Sequence, residues 1–167
     1  MIKQLKLINS EVKAIAKKEG KQFYFGRFVP HTKYMFIAEM PTPDKDWNPQ
    51  DNFNISGSDK KFIEMLNANG FGGSYVTDLV KKAENARRPK ESELSLWLPI
   101  LKKEIEILKP EVVVAVGPTS AYLTLSKYKS DLGIKNLECI WHPSYVQRYN
   151  RWDKYVDQLR KLAVKYT

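Results

Sequence analysis

The chain has 167 residues, 43% of them hydrophobic, and a formal net charge of +9. These figures exclude a disordered chain, favour one domain with one core, and point to an anionic partner, nucleic acid first. A single cysteine, Cys139, excludes an internal disulfide or a cysteine-held cluster, and two histidines, His31 and His142, supply a zinc site poorly.

The first residues, Met1-Ile2-Lys3-Gln4-Leu5-Lys6, lack the apolar run of a signal peptide. No stretch approaches the ~18 apolar residues that span a membrane. A soluble, intracellular (cytoplasmic) monomer is expected, with no membrane partner. Residues 2–19 place Ile2, Leu5, Ile8, Val12, Ile15 and Ala16 at helical spacing with lysines opposite, and Gly20 is the stop. Residues 22–30 are aromatic and read either as a strand or as an irregular segment. His31 has no motif around it and reads as a surface histidine. Tyr34-Met35-Phe36-Ile37-Ala38 is a continuous apolar run, as a strand covered on both faces requires, and it breaks at Met40-Pro41-Thr42-Pro43.

Residues 44–58 are rich in Pro, Asn and Asp and form a loop, long enough to be functional or mobile. Its rings, Trp47 and Phe53, either stack on a ligand or pin the loop. A helix is expected over residues 60–69, then a strand over 74–80 and a basic loop over 81–90. Leu94, Leu98, Leu101, Ile105 and Leu108 repeat at helical spacing across residues 91–108, with Pro99 either bending that helix or marking its start. Val112-Val113-Val114-Ala115-Val116 reads as a buried parallel strand, and Gly117-Pro118 turns into a helix ending near Ser126. A linker leads to the last strand, residues 137–141, and residues 152–166 form a terminal helix.

Strands and helices alternate, which predicts a three-layer α/β/α fold around a central, mostly parallel four-stranded sheet. In such sheets ligands bind outside the carboxyl ends of the strands. Four stretches meet there: Glu39 to Thr42, Asp78 to Lys82, Gly117-Pro118, and His142 to Ser144. The last strand stops at Pro143, which also holds His142 in an extended conformation. Tyr145, Arg148, Tyr149, Arg151 and Trp152 follow at once. From these residues alone the imidazole is either a strand cap or a group placed for chemistry on a polyanion. The lone Gly117 turn is not a dinucleotide-binding fingerprint.

Four short motifs in this order resemble the uracil-DNA glycosylase superfamily. Ala38-Glu39-Met40-Pro41-Thr42 and Thr77-Asp78-Leu79-Val80-Lys81 are similar to two segments of its thermophilic iron–sulfur branch. Lys109 to Gly117 resembles the lysine-proline strand-glycine segment of that branch, and His142-Pro143-Ser144 resembles the superfamily's second active-site motif. The resemblance covers residues from about 34 to 165 and implies a single glycosylase-like domain over 1–167 that excises uracil or another deaminated or damaged base from single- or double-stranded DNA.

The departures are specific. Positions near Lys82 and Trp97, where the iron–sulfur branch has cysteines, are not cysteine, so no metal or other cofactor is expected. Met40 stands where the best-known branch has a water-supporting aspartate, and Asp78 where the family usually has an asparagine that reads uracil. An ionised aspartate only accepts hydrogen bonds, so Asp78 favours a base edge presenting donors unless its carboxyl is held protonated.

The resemblance implies catalytic roles for His142, as donor to the departing base, and for Glu39, on the water or the sugar cation. It implies a base pocket of Asp78, Phe53, Met40 and Pro41, with Ile55 an alternative to Phe53 as the stacking group. DNA contacts fall to Ser144, Tyr145, Arg148, Arg151, Arg87 and Arg88. A nucleic-acid-binding relative that has lost hydrolysis is the alternative, motivated by Met40 and Asp78.

Overall fold

The computed structural model describes residues 1–27, 32–85 and 87–167. His31 and residues 28–30 of the aromatic segment lie outside the described residues, as does Ala86 of the basic loop. The strands are β1 (Tyr34–Ala38), β2 (Tyr75–Asp78), β3 (Val112–Val116) and β4 (Asn136–Ile140). The helices are α1 (Ile2–Lys18), α2 (Gly57–Ala68), α3 (Glu91–Leu108), α4 (Ala121–Lys127), α5 (Pro143–Arg148) and α6 (Trp152–Lys165).

All four strands run parallel in the order β2-β1-β3-β4. Side chains alternate across a strand, so each strand supplies both faces. Met35 and Ile37 of β1 and Val113 and Ala115 of β3 face a core shared with α1, α3 and α4. Phe36, Ala38, Val112, Val114 and Val116 face the opposite core, shared with α2, α5 and α6. The sheet is thus covered on both sides, the α/β/α layering that unbroken apolar strands require. Its order changes direction between β1 and β3: the chain leaves β1 towards β2 and β3 towards β4, the arrangement that opens a crevice at their carboxyl ends.

Local chemistry sets the ends of these elements. The Ser56 hydroxyl accepts the Asp59 backbone N–H at 3.1 Å, and the Asp59 carboxylate accepts from Ser56 N. This capping box starts α2 at Gly57, ahead of the Lys60 that the apolar pattern suggested. Pro99 lies inside α3 and does not begin it. Pro99 and Ser95 are both exposed, so the carbonyl that loses its donor faces water. Helix α5 was not expected from the sequence. Proline at its first position reads equally as a strand stop and as a helix start, and here it does both. Gln22 to Arg27 lies antiparallel along the outer edge of β2, with Arg27 N donating to Val76 O at 2.8 Å and Ala83 N to Gln22 O at 2.8 Å. Among the described residues no helix is long and apolar enough to cross a membrane.

Among the described residues the most deeply buried ion pair joins the end of β2 to α3. Lys81, just after β2, places its Nζ 2.5 Å from Glu104 Oε1 of α3, and both side chains are 1% exposed. The same Nζ donates to the Asp78 carbonyl at 2.8 Å, and Tyr75 Oη donates to Glu104 Oε2. Two desolvated charges hold here only because each has its partner and further hydrogen bonds. Glu104→Gln leaves the ammonium without its counter-charge and is expected to cost about 3–5 kcal/mol in urea unfolding. Lys103→Ala removes an exposed pair with Glu11 at 2.8 Å and is expected to cost less than about 1 kcal/mol in the same measurement.

Candidate active site

The carboxyl ends of all four strands open into one cleft of about 950 Å³. Glu39, Met40 and Pro41 after β1, Asp78 at the end of β2, Gly117 and Pro118 after β3, and His142 and Ser144 after β4 all line it. The β1 motif is held by backbone from beyond β2: Leu79 N donates to Ala38 O at 2.9 Å, Val80 N to Glu39 O at 3.1 Å, and Glu84 N to Pro41 O at 3.0 Å. These bonds fix where Glu39 projects. Its side chain is half-buried, and that burial raises its carboxyl above the ordinary value while Arg88 pulls the other way.

His142 closes β4 and caps α5, at φ −72 and ψ 136. Its Nδ1 accepts the Ser144 backbone N–H at 3.1 Å and lies 2.7 Å from Ser144 Oγ. A backbone N–H can only donate, so Nδ1 carries the lone pair and the neutral ring carries its proton on Nε2. Burial lowers the imidazole's pKa, with Asp59 opposing, so the neutral form is favoured. Gly117, at φ +119, passes close beside the ring: a Cβ there would sit 3.8 Å from His142 Cβ. The turn takes a conformation that side chains resist.

The loop between β1 and α2 supplies the opposite wall. Trp47 pins it rather than reaching a ligand: its Nε1 donates to Phe23 O at 2.8 Å and its ring meets Phe23 edge-on at 5.1 Å. Gln22 ties down Asp44 through two hydrogen bonds of 2.8 Å, and Arg27 Nη1 donates to Asn52 O at 3.1 Å. Phe53 sits at φ 61, an unusual conformation for a non-glycine residue. It is buried, packs on Phe62 at 5.8 Å and lines the cleft. Ile55 lines it too.

Asn52 is a wall residue that sequence reasoning missed. Its Nδ2 donates to Asp78 Oδ2 at 2.9 Å, and its Oδ1 accepts the Phe53 N–H at 2.9 Å. Asn48, Asn52 and Asn54 look alike in a polar loop, so no local signal marks the one that turns inward. Asp78 is buried at the wall of the cleft, 2% exposed. Burial pushes its carboxyl up to about 7, against the Asn52 hydrogen bond and the Lys81 charge, while Asp59 and Glu104 add to the rise.

The expected DNA contacts divide. Ser144, Tyr145 and Arg148 stand on α5 at the mouth of the cleft. Trp141, Tyr145 and Tyr149 form a run of rings at 5.4 and 4.9 Å, and the Arg151 guanidinium lies about 6 Å from the first two. Arg88 is exposed on the facing rim and makes no ion pair among the described residues. Arg87 lines the cleft, but its guanidinium is bidentate on Glu93 at 2.6 and 2.8 Å. That pair holds the Glu93 carboxyl well below the usual range.

The residues present do not fit the cluster that the iron–sulfur resemblance implies. Lys82 is buried and pairs with Glu19 and, at 2.7 Å, with Glu93. Trp97 is buried in the α1–α3–α4 core. Cys139 stands apart on β4, its thiol pushed up to about 11 by burial. An ammonium and an indole offer iron no thiolate.

Curated relatives include type-4 uracil-DNA glycosylases of Sulfurisphaera tokodaii, 26% identical over 131 residues, and of Saccharolobus solfataricus, 28% identical over 132 residues. Each of these matches covers 74% of this chain, and 56% and 60% of the respective relatives, so the chain spans somewhat over half their length. The type-4 enzyme of Thermotoga maritima is 26% identical over 148 residues, covering 80% of this chain and 73% of the relative. Among solved structures, SMUG2 of Pedobacter heparinus shares the fold with a TM-score of 0.58 and 12% identity, over 94% of this chain and 99% of that one. The family model described as the uracil DNA glycosylase superfamily matches residues 25–163, and the chain belongs to that superfamily.

Proposed function

We propose that this protein is a DNA glycosylase that hydrolyses the N-glycosidic bond of uracil or another deaminated base flipped out of DNA. The observation that carries the reading is the pairing, in one cleft, of an imidazole whose available proton is on Nε2 with a half-buried carboxyl from the far strand end. The cleft's volume, about 950 Å³, is ample for a single base with its sugar.

The bond from C1′ to the base nitrogen breaks with its electron pair going to the base. Negative charge grows on the base carbonyl, and His142 Nε2–H donates to it. One such preorganised donor is worth roughly 3–4 kcal/mol. The sugar becomes oxocarbenium-like, and the Glu39 carboxylate faces it, stabilises the positive charge and orients the attacking water. The water oxygen bonds to C1′ and its proton passes to Glu39 and then to solvent. Phe53 packs on the base, with Met40 and Pro41 closing the pocket beside it. Tyr145, at the mouth, fills the gap that the flipped base leaves. Ser144, Arg88, Arg148 and Arg151 hold phosphates. Arg87 chiefly orders its own loop, since Glu93 already takes its fork.

Duplexes carrying uracil, hypoxanthine or xanthine, incubated with the protein and then treated with alkali, are expected to break at the lesion. His142→Ala is expected to slow breakage about 10²–10³-fold. Glu39→Gln is expected to slow it about 10²–10⁴-fold. The wild-type rate should climb as pH rises through the raised Glu39 pKa, because the ionised form does the work, and that limb should vanish in Glu39→Gln. Salt-sensitive binding with no breakage at any lesion would favour a relative that has lost hydrolysis.

Phosphate contacts are checked separately. In fluorescence anisotropy, Arg148→Ala and Arg88→Ala are each expected to reduce the slope of log K against log salt by about 1, uniformly across sequences. Arg87→Ala should change that slope less and lower the unfolding midpoint more.

A further inference from the structure

Asp78 is the buried titratable group that the mechanism above leaves without a stated proton. Its surroundings determine where a proton would go. Asn52 Oδ1 is committed to the Phe53 backbone N–H, which orients the amide and leaves Nδ2 as the group facing Asp78. An Nδ2 donor makes Oδ2 an acceptor in either protonation state. Oδ1 receives no hydrogen bond from the described residues, and Asp78 lines the cleft. A carboxyl's carbonyl oxygen accepts better than its hydroxyl oxygen, so a neutral Asp78 favours the carbonyl at Oδ2, under Asn52, and the hydrogen on Oδ1.

The charges around it favour that neutral form. Lys81, the nearest cation, has its Nζ on Glu104 at 2.5 Å and on the Asp78 carbonyl at 2.8 Å, so its charge is offset by an equal one. Asp59 on α2 and Glu104 on α3 disfavour a further negative charge at Asp78; the buried Tyr24 phenol, within the Gln22–Arg27 segment, is itself pushed up by the carboxylates around it, Asp78 included. Glu39 and His142 share the cleft.

We infer that Asp78, held by Asn52, reads the flipped base as a neutral carboxylic acid, its Oδ1–H donating to a carbonyl oxygen on the base edge, and that loss of this proton turns the site from carbonyl-bearing towards amino-bearing bases. The inference rests on the glycosylase reading and deepens it. Deamination exchanges an amino group for a carbonyl: a donor edge becomes an acceptor edge. A neutral Asp78 matches the deaminated base and leaves an amino group facing another donor. An ionised Asp78 reverses both matches, and an unpaired buried polar group is strongly rejected. Asn52 is a positioning residue in this scheme. Its amide is committed to Asp78 Oδ2 and the Phe53 N–H, and so it decides which oxygen is left to speak to the ligand.

Two measurements on the full chain test this. The first follows the side-chain carboxyl carbon of Asp78 by NMR in protein labelled with ¹³C-aspartate, assigned by its loss in Asp78→Asn. A midpoint near pH 7 is expected, matching the upward push by burial, with Asn52→Leu moving it higher because the donor that favours the ionised form is gone. The second compares single-turnover release of uracil and of cytosine from otherwise identical oligonucleotides between about pH 5.5 and 8.5. Uracil release should fall above the midpoint, approaching about tenfold per pH unit, and the uracil-to-cytosine ratio should fall with it. Asp78→Asn, whose amide does not titrate, should lose the alkaline fall, read from the shape of its pH profile and not from its absolute rate. A carboxyl already ionised at the acid end of the range, or an alkaline fall identical in wild type and Asp78→Asn, would overturn the inference. The expected titration with no base released from any oligonucleotide would instead overturn the glycosylase reading, and the base-reading half of the inference with it.

Discussion

Parallel pairing brings all four strand carboxyl ends to one edge of the sheet. Everything that reads as chemistry in this chain sits within a few residues of such an end: Glu39, Asp78, Gly117 and His142. Each parallel return must cross over and cannot reverse in a tight turn, and the helices that make or flank these crossovers cover both faces with apolar cores. The crevice lies where the strand order changes direction. Distant parts of the chain meet there with no need for a local motif to recognise another.

The second determinant is how buried charge is managed. Lys81 and Glu104 neutralise each other beneath the end of β2, and the same ammonium holds the Asp78 carbonyl. Asp78 is thereby positioned through its backbone by a cation whose charge Glu104 has already answered. At the carboxyl above, desolvation outweighs the Lys81 charge and the Asn52 hydrogen bond. An unpaired lysine at that place would hold Asp78 ionised and acceptor-only. A pair that looks purely structural therefore bears on the protonation state at the pocket wall.

Outside the cleft the balance is different. On the proposed glycosylase reading, the net charge of +9 acts as a field that steers a polyanion towards a rim of exposed cations and rings. Within that rim the arginines are not equivalent. Arg88 and Arg148 stand exposed, whereas Arg87 is engaged by Glu93 in a network with Lys82, Glu19 and Glu84. That network occupies the region near Lys82 where cysteines stand in the iron–sulfur branch. Ion pairs and a buried indole do the packing there.

The alternation of strands and helices, the layering and the four strand-end motifs were legible in the sequence because each rests on short-range pattern: runs such as Tyr34–Ala38 and Val112–Val116, helical spacing across Glu91–Leu108, and punctuation by Gly and Pro. The iron–sulfur resemblance was legible too, along with the absence of the cysteines it needs. Helix α5 was not, since Pro143 ends a strand and begins a helix with the same fixed φ. Nor were the inward turn of Asn52, the pairing of Arg87 with Glu93, or the pinning of Trp47 on Phe23. Each depends on a partner distant in the chain or on one choice among equivalent neighbours. The sequence by itself determined that an aspartate would stand at the end of β2. Whether that aspartate presents a proton or a lone pair was decided only by the tertiary structure, through burial, through Asn52 on Oδ2 and through a lysine already committed to Glu104.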